Sequence, residues 1–389
     1  MKQSGIDLSI VIVSFNAPEY LKLTLTSVKT AIASITAEVL VVDNSNNKAL
    51  QGTITANYPF VKLIENNRNL GFSKANNLAL NKANGRLAVL LNPDTIVGED
   101  TFIQIINYYR NNPKTGGLGV KMIDGLGNYL NESKRGFPSI KTSFFKLTGL
   151  YRLWPKSKHL AKYYEGHLTN NATQHVDILS GAFLVIPRNA SGHFTLLDEQ
   201  YFMYGEDIDL SCRLQKEHGC NVYLADTNII HFKGQSTIVN AEIINHFYTS
   251  MWLFYKQHIK KTKSFLINFI SFIGIKTLLH AHLLLALIKG SNAQKTRVPM
   301  YKNVLLVSDN AKLLQGIKEK LKTKVDLTHN PERVQAKELM IFDFKHIKHK
   351  DAISYIGKNK SHYGYITEDD KTLILSRSSK DKGQVIHLQ

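Results

Sequence analysis

The sequence predicts an α/β fold built on a mainly parallel sheet. Three observations carry this. Short apolar, β-branched runs alternate with stretches of helical periodicity through the first ninety or so residues, the pattern of strands joined by helical crossovers. Two acids, Asp43 and Asp94, fall where such runs end, and ligands of parallel sheets gather at the carboxyl ends of strands. The same alternation restarts at Asn303.

Leu8 to Ser14 (LSIVIVS) is suited to a buried parallel strand. A helix follows near Pro18 to Ala33, opened by Pro18 and with Leu21, Leu25 and Val28 at helical spacing. Val39 to Asp43 (VLVVD) is a second strand, ending on an acid before a turn-rich Asn-Ser-Asn-Asn. A strand near Val61 to Glu65, a helix near Ser73 to Ala83 and a strand from Leu87 to Leu91 repeat the pattern, the last closing on Asn92-Pro93-Asp94. Residues 110 to 175 are less periodic and read as an insertion or acceptor-facing lobe. Regularity returns with DILSGAFLVIP (177–187), YGEDIDLSCRLQ and the strand-like NVYLADTNIIHF. An apolar tract, Phe265 to Ile288, follows a cluster of Lys256, Lys260, Lys261 and Lys263. From Asn303, NVLLVS, a helix over Asn310 to Leu321 and ELMIFDF form a second, smaller α/β unit without a Gly-rich phosphate loop. The expected division is therefore 1–255, a helical segment 256–300, and 301–389.

Hydrophobic residues make up 43% of the 389, which excludes wholesale disorder. Lys and Arg outnumber Asp and Glu by 49 to 31. That excess suits nucleic acid, an anionic membrane or phosphorylated substrates alike. No helix-turn-helix, zinc-finger or RNP signature accompanies it, so a nucleic-acid partner is not expected. Cys212 and Cys220 match no metal or redox spacing and read as free thiols of a reducing compartment. The opening residues have too short an apolar run for a secretory signal, so the expected location is cytoplasmic. The sequons at Asn131 and Asn171 then carry no weight.

Each candidate for chemistry has a structural alternative. Asp43 can accept a hydrogen bond from a uracil or thymine ring, or cap a turn. Asp94 can hold a divalent cation that bridges a diphosphate, or Asn92-Pro93-Asp94 can be simple punctuation. Glu206 and Asp207 open a helix, where acids are favoured on dipole grounds. Alternatively, Asp207 is a general base removing an acceptor hydroxyl proton. Asp209 with Arg213 is an ordinary i, i+4 pair. His231, in His-Phe-Lys-Gly-Gln-Ser, is a structural hydrogen bonder or a metal and diphosphate contact, with Lys233 and Ser236 nearby.

Their order is more specific than any one of them. SIVIVSFNAPEYL, VVDNSNN, NRNLGFSKANN, LLNPDT, LSGAFLVIPR, FMYGEDIDLSCRL and HFKGQST resemble glycosyltransferase family 2, in particular its rhamnosyltransferase-like branch, over about residues 8 to 240. The resemblance implies a GT-A fold, a nucleotide-diphosphate sugar donor, a divalent metal (Mn²⁺ or Mg²⁺) and inversion at the anomeric carbon. It implies that Asp43 holds the nucleobase, Asp94 the metal, and that Asp207 is the base with Glu206 orienting acceptor or donor beside it. His231 would complete the metal and phosphate end. Ser14, Asn16, Arg68, Gly71, Phe72 and Asn92 would line the donor site, Gly71 permitting close backbone approach. Many family members have two acids in the metal motif; Asn92 stands in place of the first here, as is usual in the rhamnosyl branch. The resemblance points to dTDP-L-rhamnose as first donor candidate, and to a glycan or lipid-linked acceptor in cell-surface polysaccharide synthesis. Two other readings compete. A sugar-1-phosphate nucleotidyltransferase would need a Gly-rich loop after the first strand, where SFNAPEYL stands. A non-catalytic nucleotide-sugar-binding scaffold would not need Asp94, Asp207 and His231.

Phe265 to Ile288 is long enough to suggest a membrane span. Lys276 sits near its middle, where a charge is costly, and Gly274 divides it into two shorter halves. Basic clusters flank both ends. The expectation is an in-plane or shallow re-entrant helix on the inner leaflet, making the protein peripheral to the cytoplasmic face of the membrane. A buried helical hairpin between soluble domains is the alternative.

Overall fold

The structure, a computed structural model, describes residues 5–234, 240–289, 301–331, 339–359, 361–376 and 383–388. Strands β1 (Leu8–Ser14), β2 (Ala37–Asp43), β3 (Val61–Glu65) and β4 (Leu87–Leu91) pair in parallel in the order β3-β2-β1-β4. Their crossovers are α1 (Pro18–Ala31), α2 (Lys48–Asn57) and α3 (Gly71–Leu80). β1 is buried at every position because helices cover both faces of the sheet. Leu8, Ile10 and Ile12 join one core with Val39 and Val41, while Val11 and Val13 join the opposite core with Leu40 and Val42. Helix α2 is absent from the sequence reading. It starts at the last residue of the turn-rich stretch, where the Asn47 side chain caps the Leu50 N–H at 3.1 Å.

The chain continues through β5 (Thr95–Ile96), α4 (Thr101–Asn111), β6 (Thr115–Ile123), α5 (Ile140–Leu147), β7 (Gln174–Val176), β8 (Phe183–Pro187), α6 (Glu206–His218) and β9 (Cys220–His231). Among the described residues the sheet has nine strands, ordered β3-β2-β1-β4-β8-β6-β9-β5, with β7 also on β9. The region from 110 thus contains a central strand, β6, which sequence periodicity misses. Its glycines mark crowding rather than a loop. A methyl group on Gly116 would meet the Cys220 carbonyl oxygen at 2.8 Å, and one on Gly117 the Leu179 side chain at 2.9 Å.

Helix α7 (Ala241–Phe254) leads through a π turn at Tyr255–Ile259 into α8 (Phe265–Lys289). Gly274 does not divide α8: the helix is continuous, about 37 Å long at 1.5 Å per residue. It lies along α7 through Tyr248–His282, Trp252–Phe272 (ring centroids 5.1 Å apart) and Tyr255 Oη to Asn268 Oδ1 (2.8 Å). α7 in turn is fixed to the larger unit by Ser250 Oγ donating to the Met203 carbonyl (3.0 Å) and by Phe254 against Phe137. Most of the outward face of α8 is exposed, so the hairpin is not buried: Phe265, Leu266, Phe269, Ile270, Ile273, Leu284, Leu285 and Leu287 all face outward.

A second sheet follows, with β10 (Asn303–Val307), α9 (Ala311–Leu321), β11 (Lys324–Thr328), β12 (Leu339–Asp343), α10 (His349–Lys358), β13 (His362–Ile366), β14 (Thr372–Leu375) and β15 (Gln384–His387). Its order is β11-β10-β12-β13-β14-β15, parallel from β11 to β13 and antiparallel beyond. It packs directly on the first unit. Tyr20, Ile96, Ile123, Ile230 and Phe232 share one apolar core with Leu305, Val307, Phe342 and Tyr365. The Phe232 ring contacts both Tyr20 (5.2 Å) and Tyr365 (4.9 Å), and the Tyr365 hydroxyl donates to the Gly125 carbonyl at 2.9 Å.

Candidate active site

Asn92-Pro93-Asp94 follows β4 and turns into β5, whose Thr95 lies opposite His231 at the end of β9. That antiparallel pairing brings together residues 137 positions apart in the chain, Asp94 and His231. Asp94 Oδ1 is 3.4 Å from His231 Nε2, and Asn92 Nδ2 is 3.3 Å from the same nitrogen. Helix α1 fixes the turn: Thr24 Oγ1 bonds the Pro93 and Thr95 carbonyls, both at 2.8 Å. Asp94 and His231 are nearly buried, and His231 Nδ1 has no hydrogen-bond partner. Lys233 is instead paired with Glu132. Ser236 lies outside the described residues.

Glu206 and Asp207 begin α6. Tyr204 (φ 69°) and Gly205 (φ 83°) both adopt left-handed backbone just before them. Glycine takes that conformation freely, whereas tyrosine does so at a cost, typical of residues held for function. Asp207 Oδ2 accepts from Arg135 Nη2 at 2.6 Å and from the Gly181 N–H at 3.1 Å. Arg135 Nη2 also donates to the Leu179 carbonyl at 2.7 Å. Burial opposes the Arg135 charge, but Asp207 outweighs it and holds the guanidinium well above its usual range. Glu206, by contrast, has a buried Oε2 without a partner. Burial first, then the neighbouring Asp207 charge, pushes its carboxyl up to about 8. Two adjacent carboxyls therefore have opposite surroundings, one ion-paired and one driven toward the neutral acid, the arrangement that separates acid and base roles. Asp209, the third acid of the motif, is committed to Arg213 (2.6 Å) and His258 (2.8 Å).

The Ser180–Ala182 turn joins the two clusters. Its Gly181 N–H bonds Asp207, while the Ala182 carbonyl accepts from the Asn92 N–H at 2.9 Å. A methyl group on Gly181 would meet the Asp207 Cβ at 3.3 Å and the Phe72 ring at 3.5 Å. Phe72 thus reaches the same turn. The close approach that glycine permits at Gly71 (φ 81°) is to Phe202: an added Cβ would lie 2.5 Å from its carbonyl oxygen. Ser14 and Asp43 are register partners at the ends of β1 and β2, and both are fully buried. Ser14 Oγ has no partner. The Asp43 carboxylate accepts four bonds from its own loop: Ser45 N (2.9 Å) and Oγ (2.6 Å), Asn47 N (3.0 Å) and Gln51 Nε2 (2.7 Å). It therefore shapes the loop, and direct contact with a base would compete with those bonds. Asn16 and Arg68 stand exposed on the loops after β1 and β3.

Two features escape sequence reading. Arg135 lies in the aperiodic region, where it forms an isolated antiparallel bridge with Ile178 that no sequence pattern marks. Asn44, Asn66 and Asn69 form a polar lattice around the start of α3. Asn44 Nδ2 donates to Asn69 Oδ1 (2.8 Å), and Asn44 Oδ1 accepts from Asn66 Nδ2 and the Leu70 N–H, both at 3.0 Å. The asparagine-rich composition of both loops hinted at it.

Among the described residues no three His, Cys, Asp or Glu side chains form a metal cage. Mg²⁺ and Mn²⁺ bound with substrate phosphates need few protein ligands. A buried carboxylate whose Oδ1 lies 3.4 Å from an imidazole Nε2 fits that mode.

Residues 6–258 match the model of the family described as glycosyltransferase like family 2. An N-acetylglucosaminyl-diphospho-decaprenol L-rhamnosyltransferase of Mycobacterium tuberculosis is 28% identical over 243 residues, covering 59% of this chain and 77% of that one. A low-salt glycan biosynthesis hexosyltransferase of Haloferax volcanii is 24% identical over 216 residues, covering 54% and 62%. A solved mannosyltransferase of Pyrobaculum calidifontis, in complex with GDP-Man and Mn²⁺, superposes with a TM-score of 0.44 at 14% identity, covering 72% of this chain and 69% of that one. The family match spans every strand and turn that carries the paired carboxyls and the Asn92–Asp94–His231 corner, and the chain accordingly belongs to glycosyltransferase family 2: it is a glycosyltransferase of GT-A fold.

Proposed function

We propose that this enzyme transfers a sugar, with L-rhamnose from dTDP-L-rhamnose as first candidate, from a nucleotide-diphosphate donor to a hydroxyl of a lipid-linked acceptor, with inversion. The observation that carries this reading is the Asp207–Arg135 ion pair beside a buried Glu206 whose Oε2 has no partner, one turn away from the Asn92–Asp94–His231 corner. The rhamnosyltransferase relative, whose name specifies a diphospho-decaprenol acceptor, supports both the sugar and the acceptor class.

In this mechanism the acceptor hydroxyl gives its proton to Asp207 as its oxygen bonds the anomeric carbon. The bond from that carbon to the nucleotide diphosphate breaks on the opposite face, and the electron pair leaves with the diphosphate. A single displacement of this kind inverts the centre. Neutral Glu206 donates a hydrogen bond that orients the acceptor. Asp94 and His231 would hold a divalent ion, which when bound neutralises charge on the leaving diphosphate. Ser14, Asp43 and the asparagine lattice form the nucleotide side, with Asn16, Arg68, Phe72 and Asn92 at its rim.

The enzyme works at the cytoplasmic face of the membrane, with α8 in the plane of the leaflet. The continuous helix is long enough to span, but it lies along α7, which is itself fixed to the catalytic unit. That pairing favours a helix lying against the protein body over one projecting across a bilayer. Binding of UDP- and dTDP-sugars, with and without Mn²⁺, tests the donor. Transfer from dTDP-L-rhamnose to a polyprenyl-diphosphate sugar, with the product anomer read by NMR, tests the reaction. A retained anomeric configuration, or no binding of any nucleotide sugar either with or without Mn²⁺, refutes the reading. For the membrane, a Phe269→Ser, Ile270→Ser, Ile273→Ser variant should weaken co-sedimentation with anionic liposomes. Full-length protein that stays in the supernatant at low salt refutes docking.

A further inference from the structure

We infer that the lobe around α5 is a second membrane-contact surface, placed beside the acceptor side of the active site and meeting anionic lipid headgroups. The inference rests on the reading of an enzyme docked at the membrane through α8, but on different residues. From Ser133 to Tyr164 the chain has eight Lys and Arg and no Asp or Glu. The same lobe exposes four large apolar side chains: Ile140 (39%), Phe144 (55%), Leu153 (64%) and Trp154 (59%). Lys141, Arg152, Lys156 and Lys158 are exposed in the same stretch. Exposed cations without a carboxylate partner, interspersed along the chain with exposed aromatic and aliphatic groups, are what an anionic bilayer surface recognises: headgroups take the charge while the apolar groups, tryptophan above all, enter the interface. A soluble monomer gains nothing from such a cluster.

The placement supports the same occupant. Lys146 of α5 sits over the Phe247 ring of α7 (5.8 Å), and the next residue of α7, Tyr248, bonds His282 of α8. The lobe and the exposed apolar helix therefore abut the same turn of α7. On its inner side the lobe reaches the catalytic pair. Lys146 Nζ bonds the Tyr163 hydroxyl at 3.0 Å, and the Gly136 N–H, next to Arg135, bonds the Tyr163 carbonyl at 3.1 Å. Burial opposes ionisation of Tyr163, but the Lys146 and Arg135 charges outweigh it and lower its hydroxyl below the usual range. A headgroup-bound lobe would thus hold Asp207 close to the leaflet from which a lipid-linked hydroxyl must come.

The chain has two tryptophans, Trp154 and Trp252, which makes the test direct. In full-length protein carrying Trp252→Phe, Trp154 is the sole indole. Vesicles of phosphatidylglycerol and phosphatidylcholine, without any acceptor lipid, should shift its emission to the blue, and brominated acyl chains should quench it. Pure phosphatidylcholine vesicles should do neither. Phe144→Ala with Trp154→Ala should weaken partitioning onto the anionic vesicles by about tenfold or more, with an unchanged thermal midpoint. Protein that pellets with anionic vesicles while Trp154 stays unshifted and unquenched overturns this inference and leaves docking by α8 standing. Protein that never pellets overturns both.

Discussion

Arg135 Nη2 lies 2.6 Å from Asp207 Oδ2, and both side chains are largely buried. A buried pair of this kind is strongly asymmetric: removing one partner leaves the other charge uncompensated. Arg135→Met should therefore destabilise the fold by about 3 kcal/mol or more and lower turnover. Adding Asp207→Leu to it should recover part of that stability while abolishing activity. A denaturant double-mutant cycle reads the coupling. Strictly additive effects would show that the ion pair contributes nothing.

Glu206 gives a prediction in pH. Its carboxyl is raised to about 8 by burial and by Asp207, against about 4.3 in an unfolded chain. A raised carboxyl adds stability fully present below the unfolded value and lost as pH rises through the folded one. The wild type should thus weaken relative to Glu206→Gln between about pH 4.3 and 8. Gln mimics the neutral acid, so Glu206→Gln should keep substantial turnover at pH 7, whereas Asp207→Asn should cost on the order of 10²-fold with little change in donor affinity. Equal losses in the two variants would remove the division of roles.

Asp94→Ala should weaken Mn²⁺-dependent binding of the nucleotide sugar far more than binding of the free nucleoside. Calorimetry of both ligands with and without metal is the measurement. His231→Ala should follow the same pattern, since the two side chains meet at 3.4 Å. Losses of equal size for nucleoside and nucleotide sugar would place neither residue at the diphosphate.

The strands that end on Asp43 and just before Asn92 were legible because short continuous apolar runs closed by turn residues admit few other readings. β6 was not, since Gly116, Gly117 and Gly119 look like loop residues until the neighbours that leave no room for a Cβ are known. Arg135 was hidden for a related reason: its significance is a contact 72 residues away, made from a lone bridge residue in a stretch without periodicity. Gly274 misled in the opposite direction. A single glycine costs a helix about 1 kcal/mol, too little to break one lined by apolar contacts to α7. Asp43 shows the limit of a motif even where its position is right. The sequence marks the acid, and only the coordinates reveal that its four hydrogen bonds all go to its own loop.

The seam between the two sheets offers a further test in acid. Glu99 Oε1 accepts from the His349 N–H at 2.8 Å, and Oε2 from the Lys350 N–H at 2.9 Å. Burial pushes the Glu99 carboxyl up, but these bonds and the His349 ring outweigh it and hold it at about 2. A depressed carboxylate contributes stability above its unfolded value, near 4.3, and loses it as pH falls toward the folded one. Glu99→Gln removes that contribution at neutral pH. The gap in thermal midpoint between wild type and Glu99→Gln should therefore be widest above about pH 5 and close progressively between about pH 4.3 and 2. Comparing the two proteins cancels the carboxylates they share. Because Phe232 of the seam directly follows His231, loosening at Glu99 should also weaken Mn²⁺-dependent donor binding in the variant. A gap that stays constant down to pH 2 would show that Glu99 does not hold the second unit in place.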